Sequence, residues 1–301
     1  MTTVYNFCKK YALWVFFLLA FALSWGCLLL VIGPGGFMGT EPVDEAKMPL
    51  VYLAVLVGPS AAGLLLTGFT QGRVGLKSLG SRLFNWRVGG RWYALALLTA
   101  PLAMVVTLFA LSIIYPTILP GIALADNALS FILTGIAGGL SAGIFEELGW
   151  TGFAVPQLRQ RCGILRTGLI MGLLWGAWHF PLFVGNGRTA PDISPIIYLA
   201  VLLFSFLPAY RVIMVWIYDR TQSLFIAMLM HMSLTASTLI FQPQVIGLPA
   251  LIFDLILAAI LWGTVAVIAL ANSGQLAHTP LKEANHLNEI TQFREQQRSE
   301  S

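Results

Sequence analysis

The chain has 301 residues and a mass of 32.8 kDa; 57% are hydrophobic, only 10% are charged, and mean hydropathy is +0.81. Soluble domains carry about 25% charged residues, so this chain cannot coat a globular surface with polar groups, which excludes a soluble enzyme, a disordered protein and a nucleic-acid-binding domain. The net charge of +4 comes from basic residues set between apolar runs, a mark of membrane topology and not of a nucleic-acid partner.

Crossing a bilayer takes about 20 mostly apolar residues. The sequence predicts an all-α polytopic membrane bundle of about eight transmembrane helices, over about 11–32, 49–70, 92–115, 128–155, 167–184, 195–218, 223–241 and 248–271. They form a single unit, 1–271, with a core at about 128–241, followed by a polar tail, 272–301, rich in Gln, Glu, Asn and Ser. The first span follows Lys9 and Lys10, yet its apolar run is too long for a signal peptide and lacks an AxA-type cleavage site, so it reads as an uncleaved anchor. Cys8, Cys27 and Cys162 lie far apart and form no CxxC, which leaves neither a disulfide framework nor a zinc ribbon in prospect.

With the N-terminus in the cytoplasm, the connecting segments sort by charge. Lys9, Lys10, Arg73, Lys77, Arg82, Arg87, Arg91, Arg159, Arg161, Arg166, Arg220, Lys282, Arg294 and Arg298 fall inside, and only Lys47 and Arg188 fall outside. The expectation is an integral protein of a prokaryotic plasma membrane, bathed in lipid, with both termini cytoplasmic.

Six ionisable residues lie within the spans: Glu146, Glu147, His179, Arg211, His231 and Asp254. Such residues are costly in a bilayer and mark function by default. At the helical rise per residue, Glu146, His179, Arg211 and His231 lie about 10–18 Å from the cytoplasmic ends of their spans, whereas Asp254 lies about 24 Å away and stands apart as a buried hydrogen bonder. Gly135, Gly138, Gly139 and Gly143 run along the fourth span toward the glutamates and let a neighbouring helix approach closely. Trp175 and His179 share one helix face, as do His231 and Thr235, so the Thr235 hydroxyl can reach the same layer and donate to an oxyanion.

His179, His231 and one carboxylate of the Glu146/Glu147 pair make the His₂Glu ligand set of a catalytic zinc, with the second carboxylate free to take the proton from the bound water. The same residues work without metal if a Glu–His pair activates water directly. Both arrangements stay open at this point. No HExxH is present, which excludes a soluble zincin site.

These residues also carry a resemblance. Glu146-Glu147-Leu148-Gly149-Trp150-Thr151, Trp175-Gly176-Ala177-Trp178-His179 and His231-Met232-Ser233-Leu234-Thr235 resemble, in order and spacing, the three motifs of the CPBP family. These are membrane-embedded proteases of the CAAX-processing and bacteriocin-immunity (Abi) type. Gly58-Pro59-Ser60-Ala61-Ala62 on the second span is also similar. The resemblance implies a helical bundle with its active site open toward the cytoplasm. It also implies hydrolysis of a peptide bond, in a peptide or membrane-anchored protein, near the cytoplasmic membrane face. Glu146 and His179 would activate the attacking water, and His231 would bind metal or stabilise the oxyanion.

Thr151 stands where the family usually has Arg, and Thr235 where it usually has Asn. The first departure removes a cation beside the glutamates. Arg211, at similar depth, is predicted to replace it by pairing with Glu147, leaving Glu146 free for water. The departures motivate one alternative, a non-catalytic binding or immunity protein on the same fold. A proton-coupled transporter, which should show paired broken helices in corresponding halves, ranks last.

Overall fold

A computed structural model describes residues 2–184 and 193–272. Arg188 and the tail beyond Asn272, with Lys282, Arg294 and Arg298, lie outside the described residues. A short helix α1 (Thr2–Lys10) leads into α2 (Ala12–Phe37), α3 (Met48–Leu83), α4 (Gly90–Ile114) and α5 (Ala128–Gly149). A π-helical turn, Trp150–Ala154, joins α5 to α6 (Val155–Arg159). Then come α7 (Ile164–Trp178), the single turn α8 (Phe180–Phe183), α9 (Pro195–Phe204), α10 (Phe206–Thr221), α11 (Leu224–Phe241) and α12 (Leu248–Ala271). No strand occurs among the described residues.

Seven helical stretches among the described residues are long and apolar enough to cross a membrane, close to the eight expected. The difference lies at 167–184. There α7 has 15 residues, about 22 Å of helix, and the chain breaks at His179. Pro181 lacks the N–H that would bond the Ala177 carbonyl and cannot continue α7. Outward-facing side chains such as Leu18, Leu30, Phe109, Ile113 and Leu270 are exposed and apolar, while Glu146, Glu147, Arg211, His231 and Asp254 are buried. This inside-out distribution of polarity suits lipid on the outside.

The long helices alternate in direction, so the bundle has two chemically distinct ends. At one end α3 bends at Gly72, where φ is +63°, and its last segment carries Arg73, Lys77 and Arg82. Arg82 donates to the Tyr218 hydroxyl at 2.7 Å and to the Gly152 carbonyl at 2.9 Å, while Arg159 pairs with Asp219 at 2.7 Å. These bonds tie α3, the π-helical turn, α6 and α10 together at the basic end.

Prolines inside α3 and α4 free one carbonyl each, and neighbouring helices supply the missing donors. Pro59 cannot bond Val55, whose carbonyl instead accepts from the Ser24 hydroxyl of α2 at 2.6 Å. Pro101 cannot bond Leu97, whose carbonyl accepts from Ser233 of α11 at 2.8 Å. In hydrocarbon an orphaned backbone carbonyl has no water to turn to, so both serines weld helix pairs at fixed heights. The glycines on α5 let α11 approach as expected: a Cβ at Gly143 would sit 2.5 Å from the Met228 carbonyl oxygen.

The Ser24–Val55 bond generates a double-mutant test. Ser24→Ala should destabilise the purified protein by about 1–3 kcal/mol, the cost of an unsatisfied buried acceptor. In a Pro59→Ala background the helix can bond Val55 itself, so the same substitution should cost much less. Thermal unfolding in detergent reads both values.

Candidate active site

Glu146 and Glu147 close α5, and the π-helical turn that follows them brings Thr151 back onto Glu147, to which its hydroxyl donates. Ser60 of α3 donates to the Phe145 carbonyl, holding the residue just before the pair. The two carboxylates are then used differently. Glu147 is fully buried and receives Arg211 Nη1 on both oxygens, at 2.9 and 3.0 Å. His231 Nδ1 lies 2.7 Å from Glu147 Oε1. The predicted Arg211–Glu147 pair is therefore present, formed across 64 positions of chain.

Glu146 faces the other way, into a cavity of about 260 Å³. Its Oε2 accepts from Trp175 Nε1 at 2.8 Å, and its Oε1 lies 3.8 Å from His231 Nε2. The same Trp175 ring lies 4.2 Å beneath the Arg211 guanidinium and meets His179 and His231 edge-on, each at 5.1 Å between centroids. His179 caps α7, and its Nδ1 lies 2.7 Å from the Trp175 carbonyl. A carbonyl can only accept, so His179 Nδ1 carries the proton and Nε2 keeps the lone pair. Glu147 imposes the same tautomer on neutral His231.

Among the residues picked from sequence, Glu146, Trp175, His179, His231 and Thr235 line this one cavity. Glu147 and Arg211 lie behind it, where Glu147 orients His231. Asp254 is buried on α12 and does not line the cavity. Tyr52 of α3 also lines the cavity, and no sequence signal singles it out. Trp175 has a larger part than its position alone indicated: it holds Glu146, stacks on Arg211 and packs against both imidazoles.

The His₂Glu zinc expectation meets a geometric test here. No three His, Cys, Asp or Glu among the described residues converge closely enough to hold a metal ion. The orienting bonds on both Nδ1 atoms resemble those around metal ligands, but the trio is not drawn together.

The arrangement can move a proton without creating net charge. Glu147 and Arg211 cancel. Glu146 Oε1 and His231 Nε2 then stand 3.8 Å apart as a carboxylate and an imidazole facing one cavity. Beside them His179 Nε2 offers an acceptor. This is a general acid–base site for a water molecule held in an apolar, low-dielectric cavity.

Fold and site thus define a polytopic helical membrane protein with a buried carboxylate–imidazole centre. Residues 128–237 match the family described as type II CAAX prenyl endopeptidase Rce1-like. CAAX prenyl protease 2 of Methanococcus maripaludis is 31% identical over 94 residues, 31% of this chain and 35% of that protein. The match thus spans about a third of the curated relative's length. The matched stretch contains Glu146, Glu147, His179, Arg211 and His231.

Removing one partner of a buried ion pair leaves the other charge stranded, typically at about 3–5 kcal/mol. Arg211→Leu should lower stability by about that amount and abolish whatever activity the site has. Thr151→Arg added to Arg211→Leu places a guanidinium one helical turn from Glu147 and should recover part of the loss, read by thermal unfolding. No recovery would mean that Arg211 acts through its stacking on Trp175 and not through its charge.

Proposed function

We propose that the chain is an intramembrane endopeptidase that hydrolyses a peptide bond with water activated by Glu146 and His179. The observation that carries the reading is the convergence of Glu146, His179 and His231 on one cavity while Glu147 is saturated behind it. The match to the Rce1-like family and the relative named CAAX prenyl protease 2 support it.

In this reading Glu146 takes a proton as the water oxygen attacks the carbonyl carbon, and His179 Nε2 accepts a hydrogen bond from the hydrogen that stays on that oxygen, which aims the lone pair. His231, in its imidazolium form backed by Glu147, donates from Nε2 to the developing oxyanion, with Thr235 as a further donor. Glu146 then returns its proton to the leaving amine as the C–N bond breaks, so no proton is gained or lost. The substrate is a peptide or a membrane-anchored protein segment presenting apolar side chains, since aliphatic and aromatic residues make up most of the lining.

The chain breaks at His179 and Ser205 interrupt consecutive helices, not corresponding halves, so nothing here favours a transporter.

The test is cleavage of model peptides by the purified protein in detergent, read by mass spectrometry. Glu146→Gln and His179→Ala should each slow cleavage by about 10²–10⁴-fold, with thermal unfolding little changed. Wild-type rates from Glu146→Gln would overturn the reading in favour of a non-catalytic binding protein. Elemental analysis runs in parallel: a stoichiometric zinc that His179→Ala removes would replace the metal-free scheme.

A further inference from the structure

One face of α11 carries a line of polar side chains into the cavity. His231, Thr235, Thr238 and Gln242 follow one another at intervals of four, three and four residues, which stacks them on one side of the helix, and all four line the cavity. His231 is already committed to Glu147. The other three are half-buried, and their side chains make no hydrogen bond to any of the described residues. The hydroxyls of Thr70, Thr107 and Thr264 donate to the carbonyl one turn back, the common habit of threonine in a membrane span. Those of Thr235 and Thr238 do not. Elsewhere the wall is apolar: α3, α9 and α10 contribute Val51, Val55, Leu202 and Phe206, and of their lining residues only Tyr52 has a polar tip.

A peptide main chain bound beside Glu146 needs such groups. Within a helix the peptide N–H and C=O are bonded to each other, and a carbonyl opened to attacking water must first leave that ladder. The unwound segment then bares donors and acceptors in a cavity too apolar to solvate them, which is costly unless the wall answers them. Thr and Gln side chains both donate and accept, so each can serve an N–H or a C=O. From His231 to Gln242 the helix rises about 16 Å, the length of about five residues of extended chain. On that scale Thr238 stands about three residues, and Gln242 about five, from the bond that Glu146 and His231 address.

We infer that Thr235, Thr238 and Gln242 form a hydrogen-bonding rail for the main chain of an unwound, apolar substrate segment, which lies extended along α11 with its side chains against the apolar wall. Recognition through peptide groups makes the site tolerant of sequence. Selectivity then rests on the size of the apolar side chains, and proline opposite a rail residue is disfavoured because it brings no N–H. The inference deepens the endopeptidase reading and rests on it for the nature of the occupant.

The test measures binding of a fluorescent apolar decapeptide to the Glu146→Gln protein in detergent, and cleavage of the same peptide by the chain with Glu146 intact. Thr238→Val and Gln242→Leu should each weaken binding and raise KM by about 3–10-fold, the worth of one neutral hydrogen bond, with kcat nearly unchanged. Thr238→Ser keeps the hydroxyl and should leave both constants near their starting values; Thr238→Ala reads the same loss if the valine variant does not fold. Replacing the peptide amides by esters, one at a time, should weaken binding by a similar factor at one position, where Thr238→Val then adds nothing further. No binding, affinities untouched by both substitutions, or losses that add at every ester position would overturn the rail, the last two leaving the stripe to do no more than wet the cavity. The endopeptidase reading fails on separate evidence: no cleavage by the chain with Glu146 intact, whatever the affinities.

Discussion

A carboxylate carried into a bilayer on a helix must have its charge answered by the protein, because lipid offers nothing. Glu147 is where this chain meets that demand, and much of the bundle is arranged by it. Arg211 comes from α10, His231 from α11 and the Thr151 hydroxyl from the π-helical turn, so one side chain fixes three elements around the end of α5. Trp175 extends the set to α7 by lying under Arg211 and reaching Glu146. A buried ion pair of this kind adds little net stability over a well-packed apolar alternative, but losing one member is severe. Its effect is geometric: it sets the rotation and height of the helices, and so the direction in which Glu146 and His231 face.

The same neutrality constrains the chemistry. With Glu147 and Arg211 cancelling, any further charge in the cluster must appear as a pair. In the proposed hydrolysis the developing oxyanion and the His231 imidazolium would form such a pair. A cavity of about 260 Å³ walled by Val51, Leu202, Phe206 and Leu207 has room for on the order of ten waters. An apolar substrate segment would displace most of them, leaving the water held by polar groups as the one placed for attack.

The membrane class, the helical architecture and the position of Arg211 were legible in the sequence, because composition and depth along a helix are one-dimensional properties. The break at His179 was not, since apolar residues continue to Val184 and hide the effect of Pro181. The family pattern pointed to a lost cation at Thr151; the through-space replacement by Arg211 follows from depth, but the hydroxyl bond from Thr151 to the same carboxylate needed the local π geometry. The place of Tyr52 in the cavity wall depends on how helices distant in sequence pack, which no residue pattern encodes. Ser24 and Ser233 illustrate the point: the prolines announce orphan carbonyls at Val55 and Leu97, but not which helix will answer them.

Those two answers come at very different times in synthesis. Ser24 precedes Pro59 on the adjacent helix, so α2 and α3 can leave the ribosome and settle in lipid as a self-sufficient hairpin. The Leu97 carbonyl of α4 waits for a donor 136 residues further along the chain. Until α11 emerges, α4 must either keep that carbonyl near water or remain sheltered by the insertion machinery, since exposing it to hydrocarbon costs several kcal/mol. The serine two residues beyond His231 thus links completion of the buried Glu–His layer to release of α4 into the membrane, and a chain truncated before α11 would present the quality-control proteases with an unsettled fourth helix.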